Sequence, residues 1–238
     1  LIDKVAPTIT TVASTNVTDC NVADGSITIT ASSTQGSVEY SIDGGTTWQP
    51  SNLFINLTAG SYPVVIRYID GSCDVTGSTV TISAPTPTAI SAVASTDPTD
   101  CSVTDGSITV TATGGTLEYS IDGAASWQSS NVFSNLSSGT YNVYVRNSNG
   151  TCVTPWNTPI TLTAPSAPTI TNVAFTQPTD CGSGDGQIVI TASGSVALEY
   201  SIDDGETWQN GNTFPNLSGG VYEIYVRNRV DNTCEVSS

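Results

Sequence analysis

Laid against itself at an offset of 80 to 81 positions, the chain repeats three times, and this recurrence limits the fold more than any other feature. Thr18-Asp19-Cys20, Thr99-Asp100-Cys101 and Thr179-Asp180-Cys181 fall into register. After them come Asp24-Gly25, Asp105-Gly106 and Asp185-Gly186, each opening an alternating run such as Ser26-Ile27-Thr28-Ile29-Thr30. Glu-Tyr-Ser-Ile-Asp then recurs from Glu39, Glu118 and Glu199, followed by Trp48, Trp127 and Trp208 and by Phe54, Phe133 and Phe214. A final shared run ends at Arg67, Arg146 and Arg227. A unit of about 80 residues is near the lower size at which one hydrophobic core suffices, so each copy must hold a small, simple fold.

The runs alternate apolar and polar residues with a period of two, separated by Gly, Asp, Asn and Pro, which is the pattern of half-buried strands joined by turns. Ser and Thr abound, charged residues make up 11% and Met is absent, so good helix formers are scarce. The fold class expected is all-β: three tandem Ig-like β-sandwich domains spanning 1–86, 87–166 and 167–238. In the first copy, strands are expected at 8–14, 25–32, 38–42, 47–49, 52–57, 61–68 and 78–84. Asp43-Gly44, Asp122-Gly123 and Asp204-Gly205 supply the positive-φ residue that tight turns require. The short linkers Ala84-Pro85-Thr86-Pro87 and Ala164-Pro165-Ser166-Ala167-Pro168 favour extended, semi-rigid backbone, so the three domains are expected to form a rod.

Six cysteines fall into three pairs, Cys20 and Cys73, Cys101 and Cys152, Cys181 and Cys234, separated by 53, 51 and 53 positions. That regularity predicts one disulfide inside each domain, worth roughly 4 kcal/mol on the chain-entropy relation. No two cysteines are close in sequence and the chain has no His, so a zinc site is disfavoured. Disulfides place the chain in an oxidising, extracellular or cell-surface setting.

A formal charge of −16 repels nucleic-acid phosphates. No apolar run is long enough for a spanning helix. The chain opens on Leu1 without any Met, which reads as a processed product or a piece of something longer. Without His, and with Lys4 as its single lysine, the chain has little with which to run acid–base or nucleophilic chemistry, and the reading is that it is not an enzyme. The recurring pairs Asp19/Asp24, Asp100/Asp105 and Asp180/Asp185 offer oxygens to calcium, although Asp before Gly is more often a turn device. Trp48, Trp127 and Trp208 read as core residues more readily than as a sugar-stacking surface, while Trp156, found in one copy only, is the better candidate for an exposed contact. Arg67, Arg146 and Arg227 read as partners of a Glu or Asp on a neighbouring strand. Asn16, Asn56, Asn135, Asn149 and Asn216 stand in N-glycan acceptor triplets; Asn56, Asn135 and Asn216 share one place in the repeat and serve equally as turn residues.

The series Asp105-Gly106-Ser107-Ile108-Thr109-Val110-Thr111-Ala112, then Tyr119-Ser120-Ile121-Asp122-Gly123, Gly139-Thr140-Tyr141-Asn142-Val143 and Cys152 resembles the SprB-type repeat. The resemblance runs through all three copies. It implies a large surface adhesin of Bacteroidota, of the kind used in adhesion and gliding and exported by the type IX route.

Copies one and two end with strands leading into the next linker, through Ile82 and through Leu162, whereas copy three stops at Ser238, and its closing strand is expected to be missing. Leu1-Ile2-Asp3-Lys4-Val5 aligns with the tail of that strand and the following linker. Two explanations stand: Leu1 to Val5 of one subunit completes copy three of the next and builds a filament head to tail, or the array simply continues beyond Ser238. The function expected is a non-catalytic structural or adhesive repeat of the bacterial cell surface, partnered by itself and by surface glycans. A carbohydrate-binding module, or spacer repeats within a large secreted enzyme, are the alternatives.

Overall fold

In a computed structural model, residues 3–230 and 234–238 are described, and among them the chain forms strands and turns without a helix. The chain divides into two compact units. The first combines Leu1–Ala89, Thr113–Leu117 and Val145–Thr154, the second Ile90–Ala112, Glu118–Tyr144 and Pro155–Ser238.

Copy one shows the plan. Its strands are β1 (Thr8–Thr15), β2 (Gly25–Ser32), β3 (Val38–Ser41), β4 (Leu53–Leu57), β5 (Gly60–Tyr68) and β6 (Val75–Ile82). They form two antiparallel sheets, β1-β2-β4 and β3-β5-β6. This division, with consecutive strands shared between two facing sheets, is the plan of an immunoglobulin-like sandwich. The expected run at 47–49 contributes only the bridge between Tyr40 and Gln49.

Period two decides what is buried. Ile27 and Ile29 of β2 meet Val64 and Ile66 of β5 in one core, with Phe54, Leu57 and Ile82 around them. Gly25 opens β2 because there is no room for more: a Cβ there would lie 2.9 Å from the Leu57 carbonyl and 3.0 Å from the Ile82 side chain. Gly106 stands in the same relation to Leu136 and Leu162.

Copy two repeats the plan with β7 (Ala89–Thr96), β8 (Gly106–Thr113), β9 (Leu117–Ser120), β10 (Val132–Leu136), β11 (Gly139–Tyr141), β12 (Tyr144–Asn147), β13 (Thr154–Pro155) and β14 (Ile160–Leu162). Its core gathers Ile108, Val110, Val143 and Leu162. Copy three has β15 (Thr169–Thr176), β16 (Gly186–Ser193), β17 (Leu198–Ser201), β18 (Thr213–Leu217), β19 (Tyr225–Asn228) and β20 (Glu235–Ser237). Its sheets are β15-β16-β18 and β17-β19-β20, and its core contains Ile188, Ile190, Ile224 and Val226. The closing strand of copy three is therefore present in its first half, since β20 pairs Val226 with Val236 just as β6 pairs Ile66 with Val75.

The cysteines correct the expected pairing. The bridges are Cys20–Cys152 and Cys101–Cys234, and Cys73 and Cys181 are free. Each bridge thus joins the first cysteine of one copy to the second cysteine of the next. The reason lies in β1. Cys73 follows the β5 loop beside the entering linker, where the Lys4 ammonium donates to Ser72 Oγ at 2.7 Å and the Tyr68 hydroxyl to the Val5 carbonyl at 2.8 Å. Cys20 lies beyond the far end of β1, where the Val17 amide donates to the Ser83 carbonyl as the chain leaves the copy. Eight residues of strand separate the two positions by about 25 Å, whereas a disulfide needs its Cα atoms within about 7 Å. The first cysteine faces the linker to the next copy, and that linker delivers the next copy's second cysteine.

Candidate functional site

Two kinds of recurring polar structure and one apolar groove sit on this framework, and each has a local cause. The first is the loop after the third strand of each copy. Asp43 accepts hydrogen bonds from Ser41 Oγ at 2.7 Å, from the Thr46 and Thr47 amides at 3.0 and 2.9 Å and from Thr47 Oγ1 at 2.5 Å. Asp122 is held by Ser120, Ala125 and Ser126, and Asp203 by Ser201 and Thr207. Donors stabilise the charged form, so Thr47 above all draws the Asp43 carboxyl down to about 2, Ser201 draws Asp203 to about 2, and Ser126 lowers Asp122. Gly44, Gly123 and Gly205 take the positive φ expected of them, 73°, 77° and 76°.

Trp48 and Trp208 close this loop rather than filling the core. Each is half-buried, donates its indole N–H to the carbonyl of Gly45 or Gly205, and lies 3.9 Å from the guanidinium of Arg67 or Arg227. Those arginines also bind Glu39 at 2.6 Å and Glu199 at 2.8 Å across the sheet, as expected. Trp156 is the reverse case: it packs against the core of copy two.

The second structure is the turn carrying the first cysteine. The two Asp side chains of each pair accept from different donors. Asp24, Asp105 and Asp185 cap the turn, each accepting from the amide and hydroxyl of Thr18, Thr99 or Thr179 at 2.5–3.0 Å. Those bonds lower all three carboxyls, Asp185 to about 2. Asp19, Asp100 and Asp180 instead hold the amide of the adjoining cysteine at 2.7–2.8 Å.

In the first unit, Asp19 Oδ1 also accepts the Cys152 amide at 2.6 Å, Thr88 Oγ1 donates to the Cys152 carbonyl at 2.5 Å, and Asn147 Nδ2 donates to the Thr86 carbonyl at 2.8 Å. In the second, the fully buried Asp100 accepts from Asn228 Nδ2 at 2.7 Å, and Asn228 also reaches the Ser166 carbonyl. Asp19, Cys20 and Cys152 lie close enough to suit a metal ion, as do Asp100, Cys101 and Cys234, but the sulfurs in each set are bonded to one another. The residue just after each strand-ending arginine, Tyr68, Asn147 or Asn228, pins the linker. It escaped the sequence reading, although the internal register places all three at one position.

The third structure is a groove confined to copy three. Ile82 covers Gly25 and Leu162 covers Gly106, each from the second half of a closing strand that pairs Gly60 with Ile82 and Gly139 with Leu162. At Gly186 the nearest groups among the described residues are the Leu217 carbonyl and the Pro178 ring, with no closing-strand aliphatic side chain among them. Exposure rises accordingly: Ile188 is 8% and Ile224 7% exposed, against 0% for Ile27, Ile108 and Val64. Val221 is 91% and Phe175 67% exposed. Val173, Phe175, Ile188, Leu217, Tyr222 and Ile224 line a depression of about 290 Å³.

No family model matches. No curated protein matches either. Among solved structures, the chain is similar to immunoglobulin domains 1–5 of Sidekick-1, with 15% identity over 100% of this chain and 58% of that one and a TM-score of 0.36. It is similar to the eight N-terminal Ig domains of Down Syndrome Cell Adhesion Molecule, with 12% identity over 89% and 33% of the two chains and a TM-score of 0.39. It is also similar to a C-terminal fragment of intimin in complex with the intimin-binding domain of its translocated receptor, with 19% identity over 72% and 67% and a TM-score of 0.34. This chain spans 58% and 33% of the first two.

The remaining sequence candidates have ordinary local roles. Asn56, Asn135 and Asn216 are exposed and lie inside β4, β10 and β18, where the register of each strand shifts, with φ of 58°, 58° and 60°, so the turn reading of these three is corrected to a strand bulge; Asn16 accepts from the Ser83 amide, and Asn149 from Thr151. Of the N-terminal segment, Leu1 and Ile2 lie outside the described residues, while Lys4 binds Asp70 and Ser72 and Val5 binds Gln35 and Tyr68, all within copy one. Those bonds tie Lys4 and Val5 to copy one of their own chain.

Proposed function

We propose that the chain is a non-catalytic structural or adhesive repeat module of the extracellular bacterial surface, one that continues head to tail as its copies already do. The observation that carries this reading is the groove of copy three, which matches in residue and register the site that Ile82 fills in copy one and Leu162 in copy two. Its occupant is the closing strand that precedes a following copy: Ile82 stands eight positions before Ile90, Leu162 eight before Ile170, and Leu1 eight before Ile9. Strand addition there would bury Phe175 and Val221 and give backbone partners to the edge. The SprB-type resemblance, the disulfides and the saturated turn carboxylates support the same reading, because no group is left poised for chemistry among those turns. Among the described residues no helix is long and apolar enough to cross a membrane.

The test is a fluorescent peptide of residues 75–84 titrated into the chain, followed by anisotropy. Saturable binding that is lost when Ile82 in the peptide becomes Asp is expected. Equal binding of both peptides, or of neither, overturns the reading.

A further inference from the structure

The two free cysteines belong to the two halves of a junction that the chain forms twice within itself. Cys181 occupies the first half. Its amide is held by Asp180 Oδ1 at 2.7 Å as Cys20 is by Asp19 and Cys101 by Asp100, and Thr179 caps onto Asp185 as Thr18 does onto Asp24. Cys73 occupies the second half, and its loop is a copy of the one that presents Cys152.

In that loop, Gly71 and Gly150 have φ of 79° and 89°, and Cys73 and Cys152 share the rare left-handed backbone, with φ of 62° and 57°. The Gly71 amide donates to the Tyr68 carbonyl and the Gly150 amide to the Asn147 carbonyl, both at 2.8 Å. Asp70 Oδ1 and Asn149 Oδ1 accept from the next residue but one in the same way. Both surviving half-sites are therefore already in the conformation that the bonded cysteines adopt. Cys181 is exposed and Cys73 half-buried.

We infer that Cys181 of one chain forms a disulfide with Cys73 of a second copy, sealing the head-to-tail contact covalently. This rests on the strand-addition reading, which brings the two ends together. Each bond joins two thiols with loss of two protons and two electrons, taken up by a small-molecule disulfide such as oxidised glutathione, which leaves as two thiols. The partner is heterologous, so the contact does not close and each added copy renews both free ends.

The experiment oxidises the full chain with oxidised glutathione and separates the products without reductant. A ladder of multimers that collapses on reduction, with a peptide joining Cys181 to Cys73, is expected. Cys73→Ser alone and Cys181→Ser alone should each stay monomeric, and their mixture should stop at a dimer. Symmetric Cys181–Cys181 or Cys73–Cys73 bridges, a bridge within one chain, or a monomer that keeps both thiols overturns the inference. The Cys73→Ser/Cys181→Ser double variant, examined by mass photometry, separates the two ideas. If it still self-associates while the wild type forms no Cys181–Cys73 bond, only the covalent seal falls; if both proteins remain monomeric, head-to-tail assembly falls with it.

Discussion

Replacing Cys20 and Cys152 together by Ser tests the offset pairing where it matters energetically. The bridge closes a loop with a sequence separation of 132, and the chain-entropy relation then gives about 5 kcal/mol of stabilisation. That is comparable with the whole net stability of a small domain, commonly about 5–15 kcal/mol. With urea slopes of about 1–3 kcal/mol/M, the unfolding midpoint of the first unit should fall by roughly 2–5 M. Tryptophan fluorescence follows the transition, and hydrogen exchange over β1 to β6 assigns it to copy one. Cys73→Ser is the counter-experiment, because a residue without a disulfide partner should change the stability by no more than about 0.5 kcal/mol. A double variant as stable as the wild type, or a Cys73→Ser protein destabilised like the double variant, would refute the reasoning.

Three further outcomes follow from the recurring turns. Asp122→Ala removes the acceptor for Ser120, Ala125 and Ser126 and should cost about 2 kcal/mol in urea unfolding, with the loss confined to copy two by hydrogen exchange. The folded carboxyls of Asp43, Asp70, Asp185 and Asp203 are lowered to about 2 from 3.8, so their contribution is complete above 3.8 and disappears as pH falls through about 2. The thermal midpoint should therefore stay level from pH 7 to pH 5, there being no His to titrate, and drop between roughly pH 4 and pH 2; a decline already complete at pH 5 would contradict this. Arg227→Lys keeps the charge but loses the planar stack on Trp208, and denaturation should show a loss of about 1 kcal/mol that Arg229→Lys does not.

Much of the sandwich was legible because period-two alternation is a local signal: Ile27 and Ile29 point inward for the same reason that Thr28 does not. The pairing of Glu39 with Arg67 was readable from their recurrence beside alternating strands. The disulfides were not. Cys20 stands 53 positions from Cys73 and 132 from Cys152, and both intervals recur along the chain with equal regularity, so spacing alone cannot choose between them. The length of β1 chooses, and it does so only after the linker has been pinned by Tyr68 or Asn147. The tryptophans misled for a related reason. A Trp recurring at one place in every copy suggests a core, but an arginine two strands away offers the faces of Trp48 and Trp208 a cation, and sequence distance hides that neighbour.

The two bridges also change what happens when the chain is loaded in tension. Cys101 lies inside the loop closed by Cys20–Cys152, and Cys152 lies inside the loop closed by Cys101–Cys234. The shortest covalent route from one end to the other therefore enters at Cys20, crosses to Cys152, runs backwards along the backbone to Cys101 and crosses again to Cys234. A steady pull bears on that short route, and most of copies one and three hangs slack beside it. Melting of those slack parts releases no length, and only the stretch of copy two between Cys101 and Cys152 both carries the force and can extend under it.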